Sequence, residues 1–163
     1  MKQGTDEMND STTIEESRPA SIPLPVKLLG MAHLFLGMGG IMGGYFLTSD
    51  PTGRRMGVSV ELLEKLPISD FIIPGLVLLV ILGALPFFTI YSLWLLPAKN
   101  QSLLGYHWSW WLSGGVGLFL IGWTTGEIIL WGWVGLSIGY CILGAVIFAG
   151  GFSKTIRQHC SVK

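Results

Sequence analysis

The chain carries little charge. Only 12% of its 163 residues are Asp, Glu, Lys or Arg, and ten basic residues balance ten acidic ones. A soluble domain carries about 25% charged residues, so the composition argues against one. The sequence has no basic run or stripe that would neutralise phosphates. We therefore expect no nucleic-acid partner.

Cysteine and catalytic motifs are equally scarce. The two cysteines are Cys141, inside an apolar run, and Cys160, near the C-terminus, and they do not form a disulfide framework. A Walker A sequence, a dinucleotide fingerprint and a nucleophile elbow are all missing. We therefore expect a protein that is not an enzyme and that holds no cofactor or metal.

Long apolar runs dominate what is present, and each reaches the ~20 residues that a helix needs to cross a bilayer. Apart from Lys27 at the first boundary, His33 and Glu127 are the only residues in them that can carry charge near neutral pH. The pattern predicts an all-α polytopic membrane protein, a bundle of four transmembrane helices in contact with lipid. The predicted spans are Val26–Leu47, Phe71–Leu96, Trp108–Leu130 and Trp133–Phe152.

Two polar tails flank the predicted transmembrane domain, residues 26–152. Residues 1–25 are rich in Ser, Thr and Glu and are predicted to be disordered, and residues 153–163 form the second tail. Seven of the ten Lys and Arg residues fall on the side that holds both termini; Arg54, Arg55 and Lys65 fall on the other. We expect a plasma-membrane protein, and the positive-inside rule predicts that both of its termini lie in the cytoplasm.

The outer loop, residues 48–70, carries turn and capping signals. Asp50-Pro51-Thr52-Gly53 is typical of a tight turn. A short helix is predicted over Val60–Leu66, which Ser59 would cap and a proline would end. Ser69 or Asp70 is predicted to cap the second span, with Pro74 in or near its first turn.

Glycine pairs four residues apart are the main signal inside the spans. The first span has Gly39, Gly40, Gly43 and Gly44, and later spans have Gly122 with Gly126 and Gly135 with Gly139. Such spacing lets helices approach closely in lipid. The glycines could pack within one bundle or form a face for a second copy or another membrane protein. Pro86 is predicted to kink the second span.

Glu127 is the foremost candidate site residue, because ionisable groups within spans are often functional. It lies near the outer end of the third span, on the same side as Arg54 and Arg55. Three interpretations are open: an ion pair with one of these arginines, an interfacial hydrogen-bonded carboxyl, or a proton- or substrate-handling group.

His33 and His107 are a second candidate pair, at similar depth on different helices. Two such histidines could hold a haem or a metal. A structural role for each is the alternative, since boundary histidines are common.

The sequence also resembles a functionally uncharacterised family of small prokaryotic four-span membrane proteins. The resemblance rests on the paired glycines of the first span, the Asp50-Pro51-Thr52-Gly53 turn, the Asp70-Phe71-x-x-Pro74-Gly75 start of the second span and Trp123-x-x-x-Glu127. It covers residues 28–150 and implies a four-helix bundle but no reaction or ligand. The chain also has a looser likeness to DoxX-type membrane proteins, at the level of fold alone.

Three functional hypotheses follow. The first is a non-enzymatic accessory or assembly protein that contacts partners through its outer loop and glycine faces. The second is a small-molecule binder or carrier with a cavity near Glu127 and the Pro86 kink. The third is a haem- or quinone-linked redox subunit that uses His33 and His107.

Overall fold

The structure, a computed structural model, describes residues 22–95, 102–103, 106–132 and 135–159, and it is helical. The predicted tail over residues 1–25 lies almost wholly outside the described residues. Residues Ser102–Leu103 and Tyr106–His107 form a small antiparallel ladder. The helices are α1 Leu24–Ser49, α2 Ile72–Val77, a π-helical segment Leu78–Ala84, α3 Leu85–Leu95, α4 Trp108–Trp131, α5 Gly135–Gly151 and α6 Lys154–His159.

Three of the described helices are long and apolar enough to cross a membrane: Leu24–Ser49, Ile72–Trp94 and Trp108–Leu130. The fourth apolar helix, α5, has 17 residues, which corresponds to about 26 Å. One face of α1 carries exposed large apolar side chains at a spacing of three or four residues. Such a face is costly in water and is compatible with contact to lipid. This stripe consists of Leu28, Met31, Phe35, Met38, Met42 and Tyr45.

Prolines lie at the starts of α1 and α2, and the side chain of Asp70, one residue before the N-cap Phe71, accepts from the first turn of α2. Pro23 occupies the N-cap of α1. The Asp70 side chain accepts a hydrogen bond from the Ile72 N–H (3.0 Å), and Pro74 lies in the first turn of α2. These positions suit proline because the first N–H groups of a helix have no intrahelical partner.

The π-helical segment immediately precedes Pro86. Proline has no N–H to donate to the Leu82 carbonyl, and its ring would crowd that carbonyl in a regular α-helix. The chain instead widens ahead of it, and the Leu85 N–H bonds to Val80 O, five residues back. The departure from regular α-helix that was predicted at Pro86 is therefore spread over the two turns before it, Leu78–Ala84.

The elements α2, the π-helical segment and α3 form one continuous helix, Ile72–Trp94, called the second helix below. Its backbone is in close contact with α1. A Cβ added at Gly44 would lie 2.6 Å from Leu79 N, and one at Gly40 would collide with the Leu82 carbonyl group. Gly75 packs from the other side against Leu47 and Thr48 of α1. Packing within the chain, one of the two interpretations of the glycines, therefore applies to Gly40 and Gly44.

The other predicted glycine pairs behave differently. Gly122, Gly126, Gly135 and Gly139 have no described neighbour where a Cβ would stand. Helices α4 and α5 instead approach at Gly117 and Gly144, where an added Cβ on either glycine would lie 3.0 or 3.1 Å from the carbonyl oxygen of the other. The four-residue spacing alone did not show which glycines lie at a helix contact, because glycines on any face of a helix can have that spacing.

The outer loop folds on the ends of the helices. Asp50–Gly53 closes a turn, in which Gly53 N–H bonds to Asp50 O (3.0 Å) and Gly53 has a φ of 77° that favours glycine. The short helix predicted in the outer loop begins at Val60 with Ser59 as its N-cap, but it is a 3-10 helix that ends at Leu63 and not at Leu66. Leu63 is buried with Leu47 and Phe71, which fastens the loop to both helices.

Gly40→Ala should destabilise the protein by about 2 kcal/mol or more, because its added methyl group meets backbone that cannot move aside. Gly139→Ala is the control; it adds a methyl group in open space and should be neutral or stabilising by up to about 1 kcal/mol. Unfolding in a mild detergent measures both. Equal stability of the two variants would contradict close packing at Gly40.

Candidate functional site

A cavity of about 300 Å³ lies beside the α1 glycines. Gly39, Gly40 and Gly43 form one wall, and Leu78 and Leu82 of the π-helical segment form the next. Met56, Val58 and Leu62 of the outer loop cover one end. Helices α4 and α5 complete the lining with Leu120, Trp123, Thr124, Glu127, Leu136, Ser137 and Tyr140.

The polar side of this cavity is built around Glu127. Its Oε1 accepts a hydrogen bond from the Trp123 indole N–H (2.6 Å), and its Oε2 accepts one from the Ser137 hydroxyl (2.8 Å). Trp123 and Glu127 are four residues apart, so they lie on the same face of α4. Ser137 belongs to α5. The carboxylate therefore joins the two helices at their connected ends.

The interpretation of Glu127 as the ion-pair partner of Arg54 or Arg55 does not match the bonds of its carboxylate, whose two oxygens accept from Trp123 and Ser137. Arg55 donates through Nη1 to the Ser49 hydroxyl (3.2 Å) and through its backbone N–H to Asp50 Oδ2 (3.2 Å). Both partners lie at the end of α1, where the turn after the helix places Arg55 within reach. Among the three interpretations of Glu127, the geometry matches the hydrogen-bonded carboxyl.

Asp50 organises the turn that follows α1. Its Oδ1 accepts a hydrogen bond from the Thr52 hydroxyl (2.6 Å), and this bond, followed by the contacts to Arg55, lowers the pKa of Asp50 from its ordinary value. Because the pKa of Asp50 is lower in the folded state, the ionised carboxylate stabilises the turn at any pH above the ordinary pKa of Asp. The contribution is lost as the pH falls through the lowered pKa.

Lys65 connects the outer loop to the end of α4. Its Nζ donates to the Leu130 carbonyl oxygen (3.1 Å), one turn beyond Glu127. The last carbonyls of a helix lack intrahelical donors and carry partial negative charge, so a cation is favourable there. The outer loop is thereby attached to the end of α4.

The remaining polar residues of the cavity were not predicted. Tyr140 Oη would lie 2.7 Å from a Cβ at Gly39, so this glycine leaves room for the phenol. The Thr124 hydroxyl bonds to Leu120 O in its own helix (2.8 Å). The spacing of Trp123 and Glu127 could have indicated their hydrogen bond. Ser137 and Tyr140 reach the site only through the packing of α5, which leaves no local signal.

A second cavity of about 330 Å³ lies on the other side of the same residues. Trp123 and Glu127 line both cavities. The second one is bounded by Pro74 and Val77 of the second helix and by Gly122 and Gly126 of α4. This explains the open space at those two glycines: α4 diverges here from α2 instead of packing on it.

His33 lies away from both cavities and is fully buried. Its Nδ1 is 2.9 Å from the Leu29 carbonyl oxygen, a contact that places the proton on this nitrogen. The His107 side chain lies outside what the structure describes, so the predicted pairing with His33 stays a prediction. No group of three or more potential metal ligands occurs among the described residues.

Comparison with known proteins adds no relative: no protein-family model, curated protein or solved structure matches the chain. The resemblance to the four-span family and the looser likeness to DoxX-type proteins therefore stay predictions. The candidate site must be argued from its own geometry.

A double-mutant cycle tests the bonds of Glu127. Glu127→Ala and Ser137→Ala should each destabilise the protein, and the double variant should cost about 1 kcal/mol less than the sum, because the two side chains share a hydrogen bond. Glu127→Ala and Arg55→Ala should be additive within about 0.5 kcal/mol. Coupling to Arg55 without coupling to Ser137 would restore the ion pair.

Proposed function

We propose that this chain is a multi-pass membrane protein that binds a small lipophilic molecule in the cavity beside Glu127. The observation that carries the proposal is the cavity itself, about 300 Å³ with mostly apolar walls and one carboxylate held in position by Trp123 and Ser137. Small-molecule sites have this composition, in which apolar walls give affinity and a few fixed polar groups give orientation. The proposed role is binding or carriage, without catalysis.

The proposed setting is the plasma membrane, with α5 as a fourth span. A 17-residue helix is at the short end of what crosses a bilayer, and α5 packs along α4, which is long enough. Four spans place both termini on one side, and the Lys and Arg distribution favours the cytoplasm. In this arrangement Glu127 lies near the outer surface.

Topology can be measured by cysteine labelling in intact cells. A cysteine placed at Thr52 should react with an impermeant maleimide, because the outer loop faces outward under this proposal. Native Cys160 should react only after the cells are opened. Labelling of Cys160 but not of position 52 in intact cells would reverse the orientation.

The accessory or assembly hypothesis has less structural support. It needs glycine faces for partners, but Gly40 and Gly44 are covered by the second helix. The glycines of α4 and α5 that have no described neighbour keep that hypothesis as an alternative. The cavity favours the binder, because its polar and apolar groups line the same space.

Filling the cavity tests the binder. Leu120 is 1% exposed and lines the cavity, whereas Leu118, two residues earlier in α4, is 59% exposed. With the protein in phosphatidylcholine nanodiscs, phenethyl alcohol should bind saturably by calorimetry after subtraction of empty nanodiscs. Leu120→Trp should weaken this binding by about tenfold or more, since the indole occupies the space, and Leu118→Trp should not. Equal binding by both variants would place the probe outside the cavity.

A further inference from the structure

The charge of Glu127 has no cationic partner among the residues that the structure describes. Arg55 is engaged with Ser49 and Asp50, and Lys65 with the Leu130 carbonyl. The two donors that Glu127 does have, the Trp123 indole and the Ser137 hydroxyl, are both neutral. A carboxylate has about four acceptor positions, so each oxygen retains one.

The position of Glu127 increases the need for a positive charge. It lies four residues before the end of α4 at Trp131, where the helix dipole is negative and a carboxylate is disfavoured. It is also partly buried, and a charge withdrawn from water is costly unless it is paired. A cation that entered the cavity would offset both the unfavourable helix dipole and the cost of withdrawing the carboxylate from water.

The rest of the lining suits an organic cation better than a metal ion. Aromatic rings of Phe71, Trp123 and Tyr140 line the cavity, and ring faces attract ammonium groups. The opposite walls are aliphatic, with Leu78 and Leu82 of the π-helical segment. A hard metal ion would require several oxygen ligands, whereas an amine with an apolar body would match both kinds of wall.

We propose that the cavity takes a lipophilic cation, an amine that is protonated at neutral pH, with its ammonium group at Glu127 and its apolar body among the leucines. This proposal rests on the proposed function, because it names the class of molecule that the same cavity binds. A volume of about 300 Å³ is at the low end for ligand sites, which favours a body of one ring or a short chain.

A pair of matched probes separates charge from shape. Phenethylamine and phenethyl alcohol have the same ring and chain and differ in the terminal group. Calorimetry with the full chain in phosphatidylcholine nanodiscs should show the amine binding about tenfold tighter or more, the usual gain from a charged hydrogen-bond partner. Empty nanodiscs give the background from partition into lipid.

Variants then locate the preference. Glu127→Gln should remove the advantage of the amine, so that the amine and the alcohol bind this variant with affinities within about threefold of each other. Glu64→Gln is the matched control, because Glu64 is an exposed carboxylate of the outer loop and the substitution removes the same charge outside the cavity. The advantage of the amine should persist in that control.

The outcomes distinguish this inference from the proposal on which it rests. If both probes bind equally and Leu120→Trp blocks both, the cavity is a binding site but not one for cations. If neither probe binds saturably to the unaltered protein, or if Leu120→Trp blocks neither, both proposals fail. An amine advantage below about threefold in the unaltered protein contradicts the cation class whatever the variants show.

Discussion

The close approach of α1 to the π-helical segment is the constraint from which the rest of the site follows. At Gly40 and Gly44 the two helices meet backbone to backbone, with no side chain between them. In lipid the hydrophobic effect does not drive helices together, so association depends on such packing. The same glycine-rich stretch also forms a wall of the cavity, because Gly39 and Gly43 leave room where larger residues would fill it.

The cavity exists because two tight helix pairs are held apart by larger side chains. Helix α1 is close to the second helix, and α4 is close to α5 at Gly117 and Gly144. Between the pairs, Trp123 and Tyr140 are too large to allow the same approach, and the outer loop closes the end with Leu62. The helices therefore pack closely where glycines lie between them, and the cavity lies where Trp123 and Tyr140 do.

Some polar groups in this apolar setting form hydrogen bonds within a helix or between helices. Thr124 bonds to its own helix, and the Trp110 indole bonds to Gly151 O (2.6 Å), which ties the start of α4 to the end of α5. Glu127 differs because it is a carboxyl group whose donors, the Trp123 indole and the Ser137 hydroxyl, are both neutral. That difference is what makes it the centre of the proposed site.

Much of the local structure could be predicted from sequence because its causes are local. Helix starts at Pro23 and Asp70 and the turn at Asp50–Gly53 depend on neighbouring residues, which fix φ or accept one nearby N–H. The outer-loop helix begins at Val60 as predicted but ends at Leu63, and Leu63 is buried with Leu47 and Phe71, contacts that the local sequence pattern does not contain.

The sequence by itself determined the class of the protein. In a medium without water, apolar runs of about 20 residues can satisfy their backbone hydrogen bonds only as helices. The position of Glu127 near the end of the third run can be read directly from the sequence. The tertiary structure alone decided what Glu127 faces. Whether Arg55 or Ser137 reaches its carboxylate depends on how α5 and the outer loop pack against α4, and contacts between residues distant in sequence follow from the shape of the whole bundle.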